Sequence, residues 1–288
     1  MLNLEYELKG ICRHNRDGSR TTQAQREDRL LQMARDLNGL GYKHMAARSL
    51  KPKHVEALVA KWQAEGLSAG TIKNRMSDVR WWAEKIGKSE VVAKSNDHYG
   101  IGRRVYVTNE SKARTLDPAK VAAITDPHVA MSLRLQAAFG LRREEAIKLR
   151  PSIAERGARL VLQASWCKGG RGREVPIRTD EQRAVLSKAR ALAGDDSLIP
   201  ADRRYVDQRR RYERECVRVG LDRNHGLRHT YAQDRYRELT GWPPPAAGGP
   251  RSNQLSPEQR QQDQRARLQV SRELGHEREQ ITAVYLGR

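Results

Sequence analysis

Apolar residues recur every three or four positions through the first third of the chain, a spacing that predicts successive amphipathic helices. The pattern indicates one helix over 21–40, a second that begins after Pro52 and a third that Ser68 can cap. Gly66 and Gly87 end the second and third helices. The apolar positions that define the three helices are Leu30, Ala34, Leu37 and Leu40; Val55, Leu58, Val59 and Trp62; and Ile72, Met76, Val79, Trp82 and Ile86. The sequence therefore predicts a helical N-terminal module.

The helical pattern is interrupted over 94–115, where the chain is polar, basic and contains glycine. This change of character is typical of a connection between domains. We expect one domain over 1–107, a linker over 108–114 and a second domain over 115–288.

The second domain alternates between helical and extended patterns. It begins with Asp117 and Pro118, a helix cap followed by proline at the first helical position. Short strands are predicted within 158–177, on either side of a Lys-Gly-Gly-Arg-Gly turn. Helices are predicted around them over 128–149, 180–193, 202–219 and 226–239. The chain is therefore expected to be mainly α with a small β-sheet or hairpin.

The segment 241–264 has a different composition from its surroundings. It contains three consecutive prolines and the sequence Gly248-Gly249-Pro250, which are typical of a mobile loop. Ser256-Pro257-Glu258-Gln259 resembles a capping box and predicts that a helix restarts there. We expect a flexible insert in the second domain.

Net charge is the strongest signal in the composition: 55 Lys and Arg against 35 Asp and Glu give +20 and a pI near 10.3. Such an excess favours a polyanionic partner, although an inert basic surface would have the same composition. Lys73, Arg75 and Arg80 on the third predicted helix form a candidate DNA-contacting face, while any one of them alone also fits a solvated helix surface. Arg171 and Arg173, in and after the glycine-rich turn, are further candidates for DNA contact.

The sequence also argues against a membrane or secreted protein. No apolar run approaches the ~20 residues that a spanning helix needs, and the N-terminus lacks the apolar core of a signal peptide. Cys12, Cys167 and Cys216 are odd in number and far apart, which favours reduced thiols. We expect a cytoplasmic, nucleoid-associated protein with no membrane partner.

Four segments carry residues suited to attack on a phosphodiester: "GLRREEA" (140–146), "KGGRGREVPI" (168–177), "HGLRH" (225–229), and a C-terminal stretch with His276 and, nine residues on, Tyr285. Such a reaction needs a nucleophile, cationic donors for the non-bridging oxygens and an acid for the leaving oxygen. Arg142 and Arg228 are the candidate phosphate holders, because arginine binds phosphate through two parallel donors. Glu145, three residues after Arg142, can buttress it.

The histidines of "HGLRH" lie at i and i+4, on one face of a helix, so a metal site has to be considered. The zinc-protease pattern requires Glu where Gly226 stands, and no cysteine pair lies nearby. We expect no metal and no cofactor. His225 then serves as a proton carrier or phosphate donor, and His229 is interpreted as a packed, hydrogen-bonded residue.

Lys168 and Tyr285 complete the candidate set. Lys168 heads a flexible turn that can bring its ammonium to a leaving 5′ oxygen as a general acid; the alternative is a basic hairpin tip that only touches the DNA backbone. The turn is not a Walker-type phosphate loop, because it lacks the terminal Gly-Lys-Ser/Thr and precedes no helix. Tyr285 becomes a nucleophile only if loss of its proton is assisted, which a cluster of cations favours.

The order of "GLRREEA", "CKGGRGREVPI", "HGLRHTYA" and "LGHEREQITAVYL" resembles the tyrosine recombinase (phage integrase) family, particularly integrases of bacterial integrative elements. The resemblance spans essentially the whole chain and implies a SAM-like helical N-terminal DNA-binding domain followed by a tyrosine recombinase catalytic domain. It implies that Arg142 and Arg228 hold the scissile phosphate and that Lys168 protonates the leaving 5′ hydroxyl. His225 would act as acid and base, His276 would hydrogen-bond the phosphate and Tyr285 would form a 3′-phosphotyrosyl link.

The resemblance further implies a site-specific recombinase that integrates or excises a mobile element, as a homotetramer on paired sites, with accessory DNA-bending or directionality factors. Two rival functions stay open: a type IB topoisomerase-like DNA relaxase, and a non-catalytic DNA-binding regulator on the same fold. Two departures from the family are visible. The stretch from His229 to Leu274 is long because of the 241–264 segment, and the chain stops at Arg288, where many members have a further C-terminal helix.

Overall fold

The computed structural model describes residues 2–276 and 278–288. The described chain falls into two units, Met1–Val105 and Tyr106–Arg288, each with its own apolar core. The sequence placed a linker at 108–114, within what the structure assigns to the second unit.

The described residues of the first unit form four α-helices: α1 (Asn3–His14), α2 (Arg20–Gly39), α3 (Pro52–Ala64) and α4 (Ala69–Lys85). The three helices predicted from apolar spacing are confirmed, and the hydroxyl of Ser68 accepts from the backbone N–H of Thr71 as a cap. Helix α1 was not predicted; its Leu4 and Leu8 are buried, and the helix packs on α2. Trp62 and Trp82 fill the centre of this unit's core.

The second unit contains the remaining helices and the strands of the described chain. The helices are α5 (Pro118–Ala122), α6 (Pro127–Phe139), α7 (Arg143–Lys148), α8 (Pro151–Ala154), α9 (Asp180–Ala193), α10 (Tyr205–Arg218), α11 (Gly226–Thr240), α12 (Pro257–Glu273) and α13 (Glu279–Leu286). Helix α11 lies against α6, α12 and α13 and so passes through the centre of the unit. The prediction of a mainly α fold with a small sheet is confirmed.

The small sheet is antiparallel and has the order β1 (Glu155–Arg156), β2 (Arg159–Leu162), β3 (Arg173–Pro176). Leu160 pairs with Val175, and both are fully buried against the helices. The connection from β2 to β3 carries Lys168 and the two glycines after it, both with positive φ. This confirms the predicted strands and the glycine-rich turn between them.

Residues 111–114 lie along the start of α11. Arg114 and Thr230 exchange two hydrogen bonds, of 3.0 and 2.6 Å, and Ser111 donates to Gln233. A side chain at Gly226 would come within 2.8 Å of the Lys112 carbonyl, so only glycine fits there. These contacts fix the beginning of the helix that carries "HGLRH".

The segment 241–264 differs from the predicted mobile loop. It folds into two 3₁₀ turns, Pro245–Ala247 and Ser252–Gln254, and into the first turns of α12. Pro245 and Ala246 are buried, because the rigid prolines pack against α13 instead of extending into solvent. The predicted capping box at Ser256 is confirmed: its hydroxyl accepts from the Gln259 backbone N–H, and the Gln259 side-chain oxygen accepts from the Ser256 backbone N–H.

No helix in the described ranges is long and apolar enough to cross a membrane. Cys12 is half-buried, Cys167 and Cys216 are buried, and all three are free thiols.

Candidate active site

Arg142 stands at the first residue before α7, and two bonds to Glu145 hold it there. Its backbone N–H and its Nη1 donate to the two carboxylate oxygens, at 2.6 and 2.7 Å. Gly140 precedes it with φ of +60°, and a Cβ there would lie 2.6 Å from the ring of Tyr231. The side chain of Arg142 is 25% exposed and lines an open cleft.

Arg173 also binds the Glu145 carboxylate. Its two Nη atoms donate to Glu145 at 2.6 and 2.7 Å, and its Nε donates to the Glu273 carbonyl at 2.8 Å. Burial raises the pKa of Glu145, but Arg173, Arg228 and Arg142 overcome that effect and hold the pKa at about 2. A fully buried carboxylate is tolerated here because it is paired and hydrogen-bonded on both oxygens.

In this structure Arg173 is therefore not placed for the DNA contact predicted for it. Its side chain is only 5% exposed, and its donors are turned inward to an acid and a carbonyl. Sequence alone could not distinguish it from Arg171, which is exposed two residues earlier. The distinction comes from strand register: Arg173 begins β3, opposite Leu162, and lies over the turn at Gly275.

Arg228 is the most deeply buried cation of the site, at 1% exposure, on the first turn of α11. Nη1 donates to the Gly140 carbonyl at 2.5 Å and Nη2 donates to the Leu274 carbonyl. Its Nε is buried without a hydrogen-bond partner among the described residues. Burial, followed by Arg142 and Arg173, lowers its pKa to about 10, so it remains charged at neutral pH. A buried cation with an unused donor is suited to an anionic ligand.

His276 follows the C-terminal turn of α12 and touches the same arginine. Its Nε2 lies 3.3 Å from Arg228 Nη2, and its Nδ1 lies 2.9 Å from the hydroxyl of Thr282. Burial, then the charges of Arg228 and the nearby arginines, lower the pKa of His276 to about 3. The ring is therefore neutral at physiological pH.

Tyr285 lies in α13, with its hydroxyl 3.0 Å from His225 Nε2. It is 7% exposed: His229 packs on its ring at a centroid distance of 4.4 Å, His276 stacks at 5.3 Å, and the Arg228 guanidinium lies 5.8 Å from the ring centre. Burial and the charges of Arg228 and Arg142 lower the pKa of His225, so its ring is neutral and can accept a proton. The structure thus brings together Arg142, Arg228, His225, His276 and Tyr285.

Lys168 reaches this group from the tip of the β2–β3 connection. It is exposed and lines a cleft of about 580 Å³ together with Arg142 and His225. Helix α10 also lines this cleft, through Tyr205, Tyr212 and Val217. Nothing in the sequence of α10 predicts a part in the site, because its pattern indicates only a helix with a basic surface.

His229 packs as the sequence interpretation expected, but its Nδ1 is buried without a hydrogen-bond partner. Burial, then the charge of His225, lowers its pKa to about 4. No group of three metal-ligating side chains occurs in the part of the chain that the structure describes.

Two family models match successive parts of the chain. One described as phage integrase, N-terminal, matches residues 1–92, and one described as integrase matches residues 102–234. Together they span most of the sequence. The chain belongs to the tyrosine recombinase (phage integrase) family. The recombinase breaks and rejoins DNA at specific sites, which is the activity of this family.

Solved structures of this fold include a lambda integrase dimer on a COC′ core site, with 16% identity, a TM-score of 0.61, and coverage of 99% of this chain and 96% of that one. XerH recombinase on difH DNA has 15% identity and a TM-score of 0.56, over 98% and 80% of the two chains. The Tn1549 integrase with circular-intermediate DNA has 13% identity and a TM-score of 0.52, over 100% and 96%. No curated protein matches the sequence significantly.

Of the three residues predicted to contact DNA in the recombinase's first unit, two have their side chains bound within that unit. Lys73 is half-buried on α4. The guanidinium of Arg75 lies over the Trp62 ring at 5.1 Å and 3.9 Å from Asp36, and Arg80 donates to the Ala93 carbonyl and to Asn96. Arg75 and Arg80 therefore stabilise their own unit, which leaves Lys73 as the candidate whose contacts compete least with DNA.

Proposed function

We propose that the recombinase cleaves double-stranded DNA by attack of the Tyr285 hydroxyl on the scissile phosphate, which gives a 3′-phosphotyrosyl link and a free 5′ hydroxyl. The observation that carries this proposal is the position of Tyr285 between a neutral His225, at 3.0 Å, and the buried Arg228 with its unused Nε donor. The pair supplies a proton acceptor for the nucleophile and a cation for the attacked phosphate.

The other residues take complementary roles in this mechanism. Arg142 and Arg228 hold the non-bridging oxygens as charge develops, and Glu145 and Arg173 keep Arg142 in place. His225 takes the Tyr285 proton, while Lys168 gives a proton to the leaving 5′ oxygen. Because the phosphotyrosyl ester keeps the energy of the broken bond, a 5′ hydroxyl can reverse the reaction and rejoin the strand without a nucleotide cofactor or a metal.

We further propose that the active form is a homotetramer on two paired DNA sites and that the substrate is the end of a mobile element. A lambda integrase tetramer bound to a Holliday junction and the Tn1549 transposon integrase share the fold, which supports this assembly and this substrate. Accessory DNA-bending or directionality factors, and association with the nucleoid, belong to the same proposal.

The nucleophile is tested with a nicked suicide duplex, on which a cleaved strand diffuses away and leaves protein covalently attached. Tyr285→Phe should form no covalent adduct yet bind the duplex as tightly as the wild type. Tyr231→Phe and Tyr236→Phe are matched controls, because they remove buried hydroxyls bonded to Glu273 and Asp263; both should still form adducts. An adduct in Tyr285→Phe that is lost in a control variant would assign the nucleophile to that tyrosine.

Two further arms of the same assay complete the test. Adduct formation should be unchanged in excess EDTA; a loss restored by magnesium or zinc would contradict the arginine-based mechanism. Joint molecules between two duplexes should accompany cleavage, whereas relaxation of supercoiled DNA without joint molecules would assign a topoisomerase-like activity instead.

A further inference from the structure

The hydrogen bonds of His276 fix which of its nitrogens carries the proton. Arginine nitrogens only donate, so the Nε2 that faces Arg228 Nη2 at 3.3 Å must offer its lone pair. The ring is neutral, as its strong burial among arginines requires, and a neutral ring carries one proton. That proton is therefore on Nδ1, which donates to the Thr282 hydroxyl at 2.9 Å.

This tautomer cannot perform the role that the family resemblance implies for His276, which is a hydrogen bond to the scissile phosphate. A phosphate oxygen only accepts hydrogen bonds, so a His276 that holds it must carry its proton on Nε2. Once a phosphate oxygen faces Nε2 in the DNA complex, the requirement at Nε2 is reversed. Nδ1 then becomes an acceptor and needs a donor opposite it.

Thr282 is the residue that meets both requirements. A hydroxyl accepts from an N–H and, after rotation about its C–O bond, donates to a bare ring nitrogen. Thr282 is fully buried in α13, three residues before Tyr285, so its hydroxyl is held against Nδ1 in either state. A methyl group of the same size would satisfy neither state.

We infer that Thr282 is a positioning residue whose hydroxyl supports both tautomers of His276 and so lets Nε2 change from acceptor of Arg228 to donor to the scissile phosphate. The change adds one proton from water at Nε2 and returns one from Nδ1 to water, so the charge of the ring is unchanged. The same bond joins the phosphate-binding histidine to the helix that carries the nucleophile. The inference rests on the proposed function, since it concerns a step of that reaction.

The test compares Thr282→Val, which replaces the hydroxyl with a methyl group, with Thr282→Ser, which keeps it. Loss of one buried hydrogen bond in the cleavage-competent state should slow single-turnover cleavage of a nicked duplex about tenfold to hundredfold in the valine variant. The serine variant should recover most of the rate, and DNA affinity should be unchanged in both. Thr240→Val is the matched control: it removes a buried hydroxyl of the same unit, bonded to the Tyr236 and Trp242 carbonyls, and should cleave at the wild-type rate.

A spectroscopic readout separates tautomer control from a purely structural effect. In ¹⁵N spectra of free wild-type protein, with His276→Gln used for assignment, Nδ1 should carry the proton. In the complex of Tyr285→Phe with uncleaved DNA, the proton should be on Nε2. Equal cleavage rates in the valine and serine variants, or a proton on Nε2 in the free protein, would overturn the inference. Absence of cleavage by wild-type protein would instead refute the proposed function, and the free-protein spectrum would still test the tautomer if the valine variant failed to fold.

Discussion

Three arginines of the catalytic unit look alike in the sequence, but their partners give them different roles. Arg142 shares one carboxylate and remains partly exposed, so it can turn donors to a ligand. Arg173 is fully occupied by Glu145 and the Glu273 carbonyl, and it therefore acts only by holding Arg142 and the turn after α12. Arg228 is bonded to two carbonyls and keeps its Nε without a partner among the described residues. This buried charge with a free donor is well suited to bind a phosphate.

Buried neutral histidines also make the free energy of unfolding decrease at acidic pH. The pKa of His229 is lowered to about 4 by burial, while an unfolded histidine has its ordinary value of 6.5. Between these values the unfolded chain binds a proton that the folded chain rejects. The stabilisation is therefore complete above pH 6.5 and is lost as pH falls toward 4, at about 1.4 kcal/mol per pH unit for each such histidine.

Replacement of the His229 ring tests the direction of this pH dependence. His229→Gln cannot bind that proton in either state, so its free energy of unfolding should fall less steeply than that of the wild type as pH drops below 6.5. Urea denaturation across this pH range measures both slopes. Parallel slopes would mean that His229 is protonated in the folded protein.

Among the elements, α13 is fixed at several points along its length. The bond from Thr282 to His276 links it to the turn after α12, and Gln233 of α11 donates to the Tyr285 carbonyl at 3.0 Å. At its C-terminal end, Gly287 has φ of +77°, and a Cβ there would lie 2.6 Å from the Ala246 backbone nitrogen. The folded proline-rich turns thus support the helix of the nucleophile.

The β2–β3 connection has the opposite character, since its tip is exposed and rich in glycine. If Lys168 is the general acid, Lys168→Ala should slow cleavage by ~10²–10⁴-fold, the usual range for such catalysis. A substrate with a 5′-bridging sulfur, whose leaving group needs no proton, should recover most of the rate.

Arg171→Ala is the control for this hairpin, because it removes an exposed cation at the same tip without removing the proposed acid. It should show no preferential rescue by sulfur. Equal slowing of Lys168→Ala on both substrates would make Lys168 a DNA contact only.

At the scale of the whole molecule, both units carry an excess of basic residues, and each has its own core. Binding of DNA by either unit would neutralise phosphates and release counterions. Affinity should therefore fall with salt at a log–log slope of about −0.9 for each phosphate contacted. The slope is thus a measure of how many phosphates each unit contacts.

Residues 106–288 alone should give a shallower salt slope than the full chain on the same duplex, since the contacts of the first unit are gone. In the full chain, Lys73→Gln should reduce the slope by about one contact, whereas Arg80→Gln should leave it unchanged and lower stability, because Arg80 is bonded within its unit. Filter binding or fluorescence anisotropy across a salt series measures the slopes. Equal slopes for fragment and full chain would show that the first unit makes no phosphate contacts.

The sequence by itself determined much of the architecture and the chemical set. Apolar spacing gave three of the four N-terminal helices, because a helix buries one stripe regardless of what covers it. The order of the motifs predicted five residues that lie close together in the structure, and a lysine that lines the cleft with two of them. The residues Ser256-Pro257-Glu258-Gln259 also predicted the capping box, since that signal is local in the chain.

Only the tertiary structure decided which polar residues face inward. Arg173 and Arg171 are two residues apart on one hairpin, yet strand register buries the first and exposes the second. Thr282 carries no sequence signal, because its importance lies in the imidazole it faces across a turn. The prolines of 241–264 predicted a loop, but their burial depends on α13, which is distant in sequence. In each case the deciding partner is non-local, and no pattern along a single chain records it.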